Sequence, residues 1–151
     1  MLNSRFSEIL AELTETQACR HASLVTRAGS VVGLGRASNA ANLSQHELQI
    51  AALAAAMASS GRELYRVLGE DEPEYMVFRG QQQTTLLSEM PGELLLVAVF
   101  PSAVEELVLQ KAAEFVGERL LALQPAGVGG GLSPAALRDQ SLRLLDELFT
   151  S

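Results

Sequence analysis

The sequence predicts an α/β (α+β) domain, in which a single five-stranded antiparallel sheet lies between helices. Three segments repeat apolar residues at the helical period, and five short segments have the composition and spacing of strands. Their order along the chain is α-β-β-α-β-β-β-α, so each strand is joined to the next by a hairpin or a helix. Two of the helices are expected to cover one face of the sheet, and the third, alanine-rich helix the other.

The length of 151 residues suits one domain with a hydrophobic core. We expect this domain to span residues 1–124. Residues 125–133 are predicted to form a linker, because their glycines and prolines oppose both helix and strand. Residues 134–151 are predicted to form an additional amphipathic helix, since Ser133 and Pro134 suit the N-cap and the first helical position.

The spacing of the apolar residues changes after the first helix, and this change separates that helix from the first hairpin. The helix has one apolar stripe, with Asn3 or Ser4 as its cap. The stripe consists of Leu2, Phe6, Ile9, Leu10 and Leu13. Residues 19–27 and 30–36 then favour two strands, and Gly29 suits the positive φ of the tight turn between them.

The second half of the domain begins with a long helix from Ser44 to Gly69. Ser44 and Glu47 have the spacing of a capping box, and Gly69 suits the helix end. Three strands are predicted to follow, and a closing helix runs from about Ser102 to Gln124. The strands are expected at 74–81, 83–90 and 93–100. The last of them is apolar on both faces, which is typical of a central strand covered on both sides.

The middle helix has two stripes, and we expect them to have different roles. Its large apolar residues are predicted to cover the sheet. They are Ile50, Leu53, Met57, Leu64 and Leu68. The other stripe has small residues, through which another backbone can approach closely, followed by residue types enriched in interfaces. This predicted partner surface consists of Ala51, Ala55, Ala58, Arg62 and Tyr65.

An alternative is that these alanines are good helix formers on an exposed face without a partner. Exposed helix faces usually carry charge, however, and residues 50–61 carry none. We therefore favour an interface. The strand at 74–81 adds to it, because Tyr75 and Val77 alternate with two further apolar residues, and a free edge of this kind promotes aggregation unless it is paired. These features predict a homodimer.

Composition excludes several classes of function. The net charge is −7 with a single lysine, which opposes binding to nucleic acid or to an anionic membrane surface. No apolar run is long enough to span a bilayer, and the amino end does not have the pattern of a secretory signal. The single cysteine fits a reducing compartment. We expect a cytoplasmic protein.

The sequence contains no established catalytic or cofactor motif, so we predict no catalytic residue and no cofactor. The glycine cluster at 127–131 has no lysine after it, which favours a tether over a phosphate loop. Cys19 and His21 lie on one face of a strand, where they could in principle bind a metal, but no spacing supplies further ligands. A partly buried cysteine and a surface histidine are the preferred interpretation.

The segment HASLVTRAGSVVGLGR at 21–36 and the run AALAAA at 51–56, in this order of elements, resemble the Roadblock/dynein light chain family. The resemblance covers roughly residues 2–124 and implies a fold layout shared with profilin and longin domains. It also implies homodimers or heterodimers in which the middle helices pack together and the third strands pair.

Within that family, LLDELF at 144–149 after a Gly/Pro linker is similar to the end of bacterial MglB-like polarity proteins. This likeness implies a Ras-like small GTPase of the MglA type as partner, bound on the middle-helix face. It also implies that GTP hydrolysis is stimulated by repositioning the GTPase's own residues, without an arginine finger, although Arg62 and Arg66 lie near the expected face. A scaffold or adaptor that binds the GTPase or another partner without accelerating hydrolysis is the alternative.

The C-terminal helix is the second expected contact region, with Leu144 and Leu148 in its apolar stripe. The linker allows it to dock on its own domain, on the dimer partner or on the GTPase. The likeness to MglB-like proteins favours the GTPase, with the helix's own domain as the alternative.

Overall fold

The computed structural model describes residues 2–16, 18–36 and 45–123, which contain three helices and one five-stranded sheet. The elements are α1 (Ser4–Thr16), β1 (His21–Thr26), β2 (Val31–Arg36), α2 (Gln45–Leu68), β3 (Tyr75–Arg79), β4 (Gln83–Met90), β5 (Leu94–Pro101) and α3 (Glu106–Ala122). The predicted fold class and order of elements are confirmed. The predicted linker and C-terminal helix, and the predicted N-cap Ser44, lie outside the described residues.

The strands lie in the order β2-β1-β5-β4-β3, and every neighbouring pair is antiparallel. The central position predicted for the third strand of the second half is confirmed, because β5 lies between β1 and β4 and most of its side chains are buried. β3 is the edge strand on the other side of β4. Its outer edge has no strand partner within the described part of the chain.

The ends of the helices follow from local hydrogen bonding. The side-chain oxygen of Asn3 accepts hydrogen bonds from the backbone N–H groups of Arg5 and Phe6, which caps α1. α3 begins at Glu106, later than predicted, because residues 101–105 form a turn in which the Val104 N–H bonds to the Pro101 carbonyl.

α2 ends at a glycine, as predicted. Gly69 has a φ of +74° and donates its N–H to the carbonyl of Arg66. The N–H of Glu70 bonds to the carbonyl of Tyr65. The two bonds together form a Schellman motif, which satisfies carbonyl groups that the last helical turn leaves unpaired.

α1 and α3 cover one face of the sheet, as predicted. α1 lies over β1 and β2, and α3 over β4. The contact of α1 with β2 is close, since a Cβ added at Gly35 would lie 2.5 Å from the backbone carbonyl carbon of Leu10. Arg119 on α3 donates a hydrogen bond to Glu12 on α1. The largest fully buried side chains on this face are Phe6, Phe100, Leu10, Leu13, Leu24, Leu86, Leu94, Leu96, Leu109 and Leu120.

α2 covers the other face, but the orientation predicted for it is wrong. Its alanines, not its leucines, face the sheet, and each of these alanines is less than a tenth exposed. They are Ala51, Ala54, Ala55 and Ala58. The strands supply large side chains to this layer, so a helix that brings only methyl groups can approach the sheet closely. The strand residues of the layer are Val25, Val31, Leu87, Leu95 and Val97.

Candidate interaction surface

The reversed orientation of α2 leaves its large apolar residues in solvent. Leu53 is 64% exposed, Met57 41% and Leu64 56%. Together with neighbours on the same side they form the outer stripe of α2, which we define as Ile50, Leu53, Met57, Leu64, Val67 and Leu68; Ile50, at its border, is partly buried and packs against the layer between α2 and the sheet, as predicted. Isolated exposed apolar residues are ordinary in soluble proteins, but a continuous stripe indicates an interaction surface.

The spacing within the outer stripe is that of a helix–helix seam. Positions 50, 53, 57, 60, 64 and 67 are separated alternately by three and four residues, and only Ser60 interrupts the apolar series. An alternation of this kind keeps one side of a helix facing another helix. The sequence therefore contained a signal for this surface, and our assignment of the same residues to the sheet overlooked it.

The outer stripe adjoins the open edge of the sheet. A Cβ added at Gly61 would lie 2.6 Å from the terminal methyl carbon of Met76, so α2 and β3 are in contact here. Phe78, two residues further along β3 and therefore on the same face, is exposed. The stripe, Phe78 and the free edge of β3 thus form a continuous surface.

The structure corrects the partner surface predicted on α2. Ala51, Ala55 and Ala58 lie between α2 and the sheet of their own domain, where no partner can reach them. Arg62 donates a hydrogen bond to Glu89 on β4. Tyr65 is partly exposed near the end of the helix.

Tyr75 and Val77 lie on the edge strand, as predicted, but their side chains point to the face that α1 and α3 cover. The hydroxyl group of Tyr75 donates to the carboxylate of Glu106, at 2.8 Å, and accepts a hydrogen bond from Gln110. Only the backbone of these two residues is available to a partner strand. Leu144 and Leu148 lie outside the described residues.

The groups near Cys19 have structural roles. The thiol donates to the carbonyl groups of His21 and Val99, and burial raises the pKa of Cys19 to about 11. His21 lies beside Glu47 instead of facing solvent, with 3.2 Å between its Nε2 and the Glu47 Oε2. This contact connects β1 to the first turn of α2. A thiol with so high a pKa is a poor nucleophile and a poor metal ligand at neutral pH.

Residues 2–16, 18–36 and 45–123 contain no cluster of three or more His, Cys, Asp or Glu side chains that could hold a metal ion. None of the three described helices is long and apolar enough to cross a membrane.

Comparison with known proteins agrees with this fold. The sequence profile of the Roadblock/LC7 domain matches residues 5–100. No curated protein matches the sequence. Among solved structures, MglB from Thermus thermophilus is 26% identical, with a TM-score of 0.63, and the match covers 77% of this chain and 88% of that one.

Two other MglB structures are similar in fold. MglB from Myxococcus xanthus is 14% identical with a TM-score of 0.67, covering 78% of this chain and 92% of that one. A structure described as MglB with a tetrameric arrangement is 22% identical with a TM-score of 0.67, covering 94% of this chain and 96% of that one. Because the profile spans most of the described sheet and two of its helices, the chain belongs to the Roadblock/LC7 domain family.

Proposed function

We propose that this protein is a cytoplasmic homodimer that binds a Ras-like small GTPase of the MglA type and stimulates its GTP hydrolysis. It contributes binding and positioning, and the GTPase contributes the catalytic groups. The observation that carries the proposal is the outer stripe of α2 beside the outer edge of β3, which pairs with no strand among residues 2–16, 18–36 and 45–123.

The outer stripe supports the dimer. Five of its residues have the spacing of a helix–helix seam, and burying them against a second copy removes a large apolar area from water. A two-fold axis between the copies sets α2 against α2 and β3 against β3, so that one symmetric contact covers both the stripe and the free edge. β3 then no longer presents unpaired backbone groups to other chains.

The GTPase partner is supported by the likeness to MglB proteins in sequence pattern and fold. In the proposed dimer, the flank of α2 that lies away from β3, toward the β1–β2 turn at Gly29, stays free. It carries small uncharged residues, among them Ala52, Ala56 and Ser59, all exposed. A surface rich in small uncharged side chains suits contact with another folded protein, whereas the net charge of −7 disfavours nucleic acid.

Dimerisation is tested by changing the stripe. Leu53→Asp with Leu64→Asp should give a folded monomer, since both side chains are already largely exposed and an aspartate there costs little within one chain. Ala56→Asp is the matched control, because Ala56 is exposed on the same helix but does not belong to the outer stripe. This variant should remain dimeric. Light scattering at micromolar concentration distinguishes a 16.1 kDa species from one of twice that mass. A monomeric wild type contradicts the proposal.

GTPase regulation is tested with the purified Ras-like GTPase of the same organism. We expect tighter binding when that GTPase carries a non-hydrolysable GTP analogue than when it carries GDP, and faster single-turnover hydrolysis with this protein present. Binding without acceleration would identify a scaffold. Absence of binding to both nucleotide states would contradict the GTPase assignment altogether.

A further inference from the structure

An open groove lies between α3 and the outer strands of the sheet, on the face opposite α2. Its volume is about 770 Å³. Its lining includes the apolar or small residues Met90, Ala113, Gly117 and Leu121 and the carboxylates Glu74 and Glu114.

The groove exists because two helices leave part of this face uncovered. α1 packs on β1 and β2, while α3 packs on β4 and reaches β3 through side-chain contacts at its first turns, such as those of Tyr75 with Glu106 and Gln110. Tyr75 and Val77 are only partly buried there, although their side chains point to the core side of the sheet. A further helix alongside α3 would complete the layer.

We propose that residues 134–150 of the same chain occupy this groove as a helix antiparallel to α3. α3 ends at Ala122, next to the groove residue Leu121, so the chain continues from the mouth of the groove. The Gly/Pro segment 125–133 allows the chain to reverse. A helix over 134–150 is about 25 Å long at 1.5 Å per residue, and α3 with its 17 residues has the same length.

The chemistry of the segment fits the groove. Its apolar stripe matches the apolar part of the lining. The stripe consists of Leu137, Ser141, Leu144, Leu145 and Leu148, with Phe149 at its edge. Arg138 flanks it, and the carboxylates of Glu74 and Glu114 form no ion pair with any residue in the described part of the chain. An isolated helix of this length is marginal in water, so burial of the stripe stabilises it.

The linker at 125–133 favours residues 134–150 over a separate protein as the segment that fills the groove. A segment joined to α3 by a short linker has an effective concentration near the groove in the millimolar range. The sequence alone favoured the GTPase as docking site for this helix, and the groove now favours its own domain. This inference does not depend on the proposed GTPase function, since it concerns the free protein.

Disulfide trapping in the full-length protein tests the inference without any GTPase. Residues 117 and 141 lie at equal distances from residue 129, the middle of the linker, so an antiparallel helix places them side by side. A Cβ added at Gly117 meets only the sulfur of Met90, at 4.0 Å, so a cysteine fits there. The test variant is Gly117→Cys with Ser141→Cys. The control is Ala56→Cys with Ser141→Cys, whose first position lies on the opposite face of the sheet.

We expect an intrachain disulfide to form about tenfold faster in the test variant than in the control, because docking raises the local thiol concentration. Adding Leu144→Asp and Leu148→Asp should lower the rate to that of the control. Equal rates in the two variants, or faster reaction in the control, would overturn the inference. A predominant interchain disulfide would overturn it too, because the helix would then lie on the partner subunit. Cys19 is buried and can stay in place.

Discussion

Arg62 on α2 is hydrogen-bonded to Glu89 on β4, and its side chain is only 17% exposed. The pair joins the helix to the sheet at the point where Gly61 contacts the edge strand. Arg62 therefore holds the domain together and does not project toward a partner. Arg66, one turn later, is 72% exposed and pairs only with Glu63 of the same helix among the described residues.

The two arginines should respond differently to removal. Arg62→Ala should lower the free energy of unfolding by about 1–3 kcal/mol, because Glu89 loses a charged hydrogen-bond partner. Arg66→Ala should change it little, since an exposed pair on one helix contributes little. Urea denaturation at equal protomer concentration measures both changes.

The same variants test for an arginine finger. A finger contributes roughly 10³–10⁵ to the hydrolysis rate, so its loss is easy to detect. We expect Arg66→Ala to retain stimulation of GTP hydrolysis by the partner GTPase within about tenfold of wild type. A loss in the thousandfold range would instead assign this role to Arg66.

The packing of α2 predicts which of its alanines accept a larger side chain. Ala58→Leu should destabilise the domain by about 1–3 kcal/mol, because the residue is buried against the sheet and the added methylenes have no room. Ala56→Leu adds the same atoms on the exposed side and should leave stability within about 0.5 kcal/mol. Equal effects in chemical denaturation would contradict the orientation of α2 described above.

A glycine pair tests the contact of α1 with β2. Gly35→Ala should lower stability by about 3 kcal/mol, because its methyl group would meet the backbone carbonyl of Leu10, which cannot move aside without shifting α1. Gly117→Ala, in α3, meets only the sulfur of Met90, at an ordinary contact distance of 4.0 Å, and should raise stability by up to about 1 kcal/mol through helix propensity. Melting temperatures of the two variants should therefore change in opposite directions.

Stability should fall in alkaline solution partly because of Cys19. Its pKa is raised by burial from 9.0 to about 11, so between these values the unfolded chain releases a proton that the folded chain keeps. The free energy of unfolding then decreases as the pH rises, by up to roughly 2–3 kcal/mol from this group. Cys19→Ala removes the group, so the free energy of unfolding of the wild type minus that of the variant should decrease steadily over that pH range. A constant difference from pH 8 to pH 11 would contradict the raised pKa.

The elements of this fold could be predicted because their signals are local. The apolar period of α1, the hairpin turn at Gly29 and the αL end of α2 at Gly69 depend on residues a few positions apart. The central position of β5 followed from its apolar residues on both faces. Because these relations are short-range, the sequence alone predicts the elements and their order along the chain.

Only the tertiary structure decided which side of α2 is buried. The helix has one stripe of leucines and one of alanines, and both are apolar enough to cover a sheet. The choice depends on the space above the strands, which the side chains of Leu87, Leu95 and Val97 already fill. The seam spacing within the helix indicates one apolar side that suits another helix, but it does not say which side packs on the sheet, because that layer forms between residues far apart in sequence.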